Sequence, residues 1–122
     1  MRPAETMTAA SYIELMKLRE KFISTINAAA SGYDAMLMPT TPDTAPTIAE
    51  ASKDDETYVR LNLRMLRNPA LVNLFDGCAL SVPCHEPGTA PVGMMIAGTQ
   101  NTDRKILAIG LAVEEVIWKL RG

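Results

Sequence analysis

Asn73-Leu74-Phe75-Asp76-Gly77-Cys78-Ala79-Leu80-Ser81-Val82-Pro83-Cys84 is the stretch on which the fold turns. Asp76-Gly77 is a turn signal, Ala79 to Val82 is a short apolar run, and Pro83 stops it, so a strand is predicted over Ala79–Pro83. His85 to Pro91, with Pro87-Gly88 at its tip, reverses the chain. Val92 to Ala97 then returns as the second strand of a hairpin. Asn101 or Thr102 caps a last helix, whose Ile106, Ile109, Val113, Val116, Ile117 and Leu120 recur at helical spacing.

Upstream, Ala70 to Phe75 reads as a short helical segment that Gly77 ends. Before it, Asp54 or Asp55 caps a helix carrying Tyr58, Leu61, Met65 and Leu66 on one face. Asn68-Pro69 closes that helix, because a proline disfavours the α conformation in the residue before it. Thr40 to Ile48 holds Pro42 and Pro46, shows no period, and is expected as a loop. Ala35-Met36-Leu37-Met38 is apolar at every position, which predicts a strand buried on both faces. The first helix starts at Thr8, or at a Ser11/Glu14 capping box, and runs to about Ala30. Its Tyr12, Leu15, Leu18, Phe22, Ile26 and Ala29 form one stripe, and Gly32 ends it. Residues 1–7 are a tail and residues 8–122 one domain. The fold class expected is α/β, a short mixed sheet of about three strands with three to four helices.

Composition excludes several functions. A net charge of −2 with interspersed signs and 5% aromatic residues gives nucleic acid neither a basic patch nor a stacking surface. No apolar run reaches the roughly 18 residues of a membrane span. No apolar segment follows Met1-Arg2-Pro3-Ala4-Glu5, so no signal peptide is expected and the compartment is read as cytoplasmic. Cys78 and Cys84 flank a strand, which holds their Cα atoms beyond the roughly 7 Å a disulfide spans. Two reduced, mostly buried thiols are expected. His85 is the single histidine, and no set of four metal ligands assembles around it. No cofactor motif is present, since the glycines at 88, 93 and 98 match neither phosphate-loop pattern. Gly93 and Gly98 are read as bends at strand ends.

Few residues invite chemistry. Pro39-Thr40-Thr41-Pro42 sits where a strand opens into a loop, a common place for groups that face a crevice. The same run also reads as a connector whose threonines cap turns. Asn73, Asp76 and Gly77 are assigned to a structural turn, with Asp76 capping it through an Asx hydrogen bond. Cys84-His85 is not a nucleophile and base, because neighbours in an extended chain point to opposite faces. His85 is expected as an exposed turn residue.

Taken in order, Tyr33-Asp34-Ala35-Met36-Leu37-Met38-Pro39-Thr40-Thr41-Pro42, Asn73 to Cys84 and Pro91-Val92-Gly93-Met94-Met95-Ile96-Ala97-Gly98 resemble the C-terminal part of amidase-signature hydrolases. That family cleaves amides with a Ser–Ser–Lys triad. The glycine- and serine-rich segment that carries both serines is not in these 122 residues, nor is the lysine motif. The resemblance therefore implies no catalytic residue here. It implies a substrate-cleft role for Thr40 and Thr41. Met95 departs from the family's usual glutamine. The family's strands of this region join a larger mixed sheet, so the fold is expected to be completed by a missing segment or by oligomerisation. The partners expected are a missing amidase N-terminal segment or further copies of the chain, as a dimer or higher. The function implied is that of an amidase-like segment, inactive alone. The alternative is a stand-alone, non-catalytic, self-associating module.

Overall fold

The computed structural model describes residues 6–121. The order is α1 (Ala9–Ala30), β1 (Met36–Pro39), α2 (Ile48–Ala51), α3 (Asp55–Leu74), β2 (Cys78–Pro83), β3 (Gly93–Gly98) and α4 (Asp103–Leu120). The strands form one sheet in the order β1-β3-β2. Both pairings are antiparallel, with Leu37 and Leu80 flanking Ile96 and with Met38 and Ser81 flanking Met95. The sheet expected as mixed is thus wholly antiparallel. The hairpin puts β3 beside β2, and β1 adds to β3's free edge in the opposite direction.

The two faces bury different clusters. One face carries Met36, Met38, Met95 and Ala97, and α1 and α3 lie over it with Phe22, Ile23, Ile26, Val72 and Phe75. The other carries Leu80, Val82 and Ile96 under α4, with Ile106, Ile109, Val113 and Ile117. Alternation along a strand sends successive side chains to opposite faces, which is how one run of apolar residues supplies both clusters. β1 is not buried on both faces as expected. Leu37 is 62% exposed, because α4 covers β2 and β3 and stops short of β1.

Helix ends follow local chemistry. Thr8 Oγ1 accepts from Ser11 N–H at 3.1 Å and Asp54 Oδ1 from Thr57 N–H at 2.7 Å, fixing the starts of α1 and α3. After α1, Ser31 and Gly32 (φ 91°) make the turn closed by Tyr33 N–H to Ala30 O, and glycine takes the left-handed position. Thr102 precedes α4 without a side-chain cap, since its hydroxyl donates backwards to Thr99 O.

Two expectations in the middle of the chain fail. Asn68-Pro69 does not close a helix: α3 is continuous through Pro69. The proline removes one hydrogen bond, but Val72 and Phe75 beyond it are among the most buried side chains, and their anchorage holds the last turns helical. The loop from Thr40 contains α2, capped by Thr47 Oγ1 accepting from Glu50 N–H. The thiols also differ from expectation. Both are free, Cys78 is half-buried, and Cys84 is exposed.

Much apolar surface stays open. No residue of α1 is buried, and Tyr12, Leu15 and Leu18 lie exposed. The surface of the chain is 9114 Å². A self-contained globule of 13.3 kDa would expose only about 6,450 Å². The excess, roughly 2,700 Å², is of the size that obligate partners hide. Among the described residues no helix is long and apolar enough to cross a membrane.

Candidate functional site

The end of β1 and the middle of β2 meet over β3. Thr40 N–H donates to Gly93 O at 2.8 Å, extending the β1–β3 ladder by one residue. Thr40 Oγ1 and Ser81 Oγ lie 2.6 Å apart, bridging across the central strand. Gly93 makes the bridge possible. A Cβ there would stand 2.3 Å from Ser81 Oγ and 2.8 Å from Thr40 Oγ1. The glycine expected as a strand-end bend therefore serves as clearance for two hydroxyls.

Thr40 is held from several directions. Asn68 Nδ2 donates to Pro39 O at 2.7 Å, tying the strand end to α3. Arg64 pairs with Asp43, tying the following loop to the same helix. Thr41, expected beside Thr40 in a cleft, turns its hydroxyl to Asp43 O at 2.8 Å and secures the loop's own turn. Of the two threonines, Thr40 lines a groove and Thr41 does not.

That groove, of about 290 Å³, runs between α3 and β2 and is bounded by Thr40, Asn73, Gly77, Ala79, Ser81 and Met95. No ionisable side chain lines it. The hydroxyl pair uses one proton internally and keeps one O–H and spare lone pairs for a guest. A serine hydroxyl needs an adjacent base to become a nucleophile, and none lines the groove. This arrangement can orient a neutral polar group such as an amide. Among the described residues no cluster of three or more His, Cys, Asp or Glu could hold a metal ion.

Of the turn expected at Asn73, Asp76 and Gly77, Asn73 and Gly77 line the groove and Asp76 does not. Asp76 N–H donates to Asn73 O at 3.3 Å and Gly77 N–H to Val72 O at 3.0 Å, the double closure of a Schellman motif. Asp76, not Gly77, occupies the left-handed position, with φ 56°. Its carboxylate does not make the expected Asx bond. It pairs with Arg19 of α1, whose guanidinium also reaches Asn73 O at 3.5 Å. Gly77 is required for close packing, since a Cβ would lie 2.6 Å from Gly98 O.

Cys84 and His85 also depart from expectation. Cys84 Sγ and His85 Nδ1 both turn to Val92 O, at 3.6 Å and 3.3 Å. Alternation ends with the strand at Pro83, so the two side chains need not diverge. His85 is half-buried, not exposed.

Ser81, Asn68 and Gly93 are site residues that the sequence expectations do not include. Ser81 had one usable signal, as the polar interruption in Ala79-Leu80-Ser81-Val82. Asn68 had none, because its partner is a backbone carbonyl 29 positions away.

Comparison with known proteins adds ancestry to this geometry. The family model described as Amidase matches residues 1–107. The chain is 28% identical over 118 residues to the 2-amino-5-chloromuconic acid deaminase of Comamonas testosteroni, covering 96% of this chain and 25% of that protein. It is 37% identical over 114 residues to a Glutamyl-tRNA(Gln) amidotransferase subunit from Thermotoga maritima, covering 90% and 23%. The crystal structure of that Thermotoga subunit superposes with a TM-score of 0.67 at 35% identity, over 87% of this chain and 22% of the subunit. The chain thus spans about a quarter of the length of the curated relatives named here.

Proposed function

Because the chain belongs to the amidase family, we propose that it works as one part of an amide-hydrolysing protein. Further amidase polypeptide supplies the nucleophile. The observation that carries this is the Thr40–Ser81 hydroxyl pair, set beside a neutral groove on a chain with excess open surface. In this role the chain forms one wall of the substrate cleft. The hydroxyl pair hydrogen-bonds the substrate's amide, with Asn68 and Gly93 keeping Thr40 in place. Thr41, Asn73, Asp76 and Gly77 shape that wall without touching the reacting atoms. The chain by itself hydrolyses nothing. The cytoplasm suits two free thiols.

The test is a hybrid in which this chain replaces the matching segment of the Thermotoga maritima protein, with ammonia release from amides as the readout. The isolated chain is expected to release none. The hybrid is expected to turn over, and its Thr40→Val variant to lose roughly tenfold, the worth of one good substrate hydrogen bond. Amide hydrolysis by the pure chain, or a hybrid that folds and is inert, would sink the proposal.

A second role has its own support. Both outer strands, β1 and β2, present an unpaired edge, and such edges template association. Alone, the chain is expected to sediment as a dimer or larger. A monomer at micromolar concentration with a cooperative melt would exclude it.

A further inference from the structure

Thr40, Ala79, Ser81 and Met95 belong to one face of the sheet. Ser81 is the register partner of Met95, and Ala79 that of Ala97, two positions on along β3. Side chains two apart in a strand share a face. Thr40 continues the side of Met38, which stands across Met95 from the other edge. The groove over this face therefore has two parts. Its polar part is the hydroxyl pair, joined by the neutral amide of Asn73. Its apolar part is Met95, Ala79, Val72 and Pro69. Met95 is only 4% exposed and still lines the groove, so it is floor and not rim. Its thioether donates no hydrogen bond and accepts one weakly, while its unbranched chain adapts to an apolar guest. The cations of the surrounding helices are engaged outside the groove: Arg19 with Asp76, Arg64 with Asp43, and Arg67 Nε with Asn68 Oδ1 at 3.3 Å. A carboxylate laid on Met95 and Ala79 would lose water and gain no partner. An alkyl group laid there gains by the same burial.

We infer that Met95, with Ala79 beside it, sets substrate choice: the groove takes amides whose acyl group is uncharged and apolar, and disfavours amides that carry a carboxylate on that group. This deepens the proposed function and rests on it, since the hydroxyl pair must be what holds the substrate's amide. The geometry joins the two parts. Ser81 lies directly across from Met95, and neighbouring strands are about 5 Å apart. A short acyl chain leaving an amide held at Ser81 therefore comes to rest on the thioether.

The test uses isocaproamide and succinamate, which differ only by an isopropyl group in place of a carboxylate. The full chain, methyl-labelled at methionine, is titrated with each. The Met95 methyl signal, identified by its absence from Met95→Leu, is expected to move with isocaproamide and to stay in place with succinamate. In the hybrid with the Thermotoga maritima protein, kcat/KM for isocaproamide is expected to exceed that for succinamate by at least about 30-fold. Met95→Gln, nearly equal in length, is expected to narrow that ratio by about tenfold. Because Met95 also packs on Val72 and Phe75, a second variant leaves the core alone. Ala79 is exposed, and Ala79→Lys supplies the missing cation, so kcat/KM for succinamate is expected to rise by roughly fivefold. Equal movement of the methyl signal with both amides, movement with neither, or equal kcat/KM for both in a working hybrid would overturn the inference. So would a hybrid in which the signal answers to neither amide, which would put polypeptide of the larger protein in the groove. A hybrid that is inert while the methyl signal discriminates counts against the functional proposal and upholds the selectivity of the groove.

Discussion

The two halves of α1 carry one apolar stripe and meet different fates. In the C-terminal half, Phe22, Ile23 and Ile26 pack on the buried cluster of Val72, Phe75, Met95 and Ala97. In the N-terminal half, Tyr12, Leu15 and Met16 continue the same side of the same helix and lie exposed. Nothing in composition or spacing separates them. The difference is reach. A helix of 22 residues is about 33 Å long, while the sheet beneath it is three strands wide and is spanned by its last turns. The helix is clamped where cover ends, by Arg19 to Asp76. Amphipathic periodicity therefore states that a face is to be buried and is silent on which partner buries it.

The contrast is open to test. The largest effect belongs to the covered side. Phe75 is 1% exposed, and Phe75→Ala is expected to cost about 3–5 kcal/mol in denaturant titration of the isolated chain. Leu15→Ala, on the uncovered half, is expected to stay within about 0.5 kcal/mol. Comparable losses at the two positions would mean that the outer half has found cover in another copy.

An intermediate effect is expected at the boundary. Arg19 and Asp76 are 28% and 41% exposed, so solvent screens the pair and Arg19→Ala is expected to cost at most about 1 kcal/mol. Its signature is local. Amide exchange should quicken through residues 9–18 and remain unchanged in β3. Uniform quickening would show that the ion pair supports the whole domain and not the junction of the two halves.

The smallest effect lies in acid. The Thr57 backbone N–H, with help from its side chain and from Arg60, holds the Asp54 carboxyl below its ordinary 3.8. The folded state thus prefers the carboxylate. The stability it adds is complete above about pH 4 and is lost as pH falls through the lowered folded value. Asp54→Asn keeps a capping oxygen and should flatten that acid limb, by a small amount since the group is fully exposed. An unchanged acid limb would assign the pH dependence elsewhere.

Local chemistry made most elements legible. Thr8 and Asp54 as caps, Gly32 as the turn after α1, and the hairpin around Pro87-Gly88 follow from residues within a few positions of one another. Pro69 misled because its local effect is to break a helix, and the opposing term, the burial of Val72 and Phe75, comes from the sheet. The site was half legible. Thr40 stood out beside its prolines, but its partner Ser81 lies 41 positions on. Local sequence ties Asp76 to its own turn, and the cation that claims its carboxylate comes from 57 positions earlier.

Sequence alone determined α1, α4 and the three strands, which sides are apolar, and the family to which the ordered motifs belong. These depend on backbone propensity and on side-chain spacing, both local. Tertiary structure decided the antiparallel sheet with β3 at its centre, the meeting of Thr40 and Ser81 over a glycine, and the division of each long helix into covered and open surface. Those are contacts between residues distant along the chain, and their energy exists only once the strands have paired.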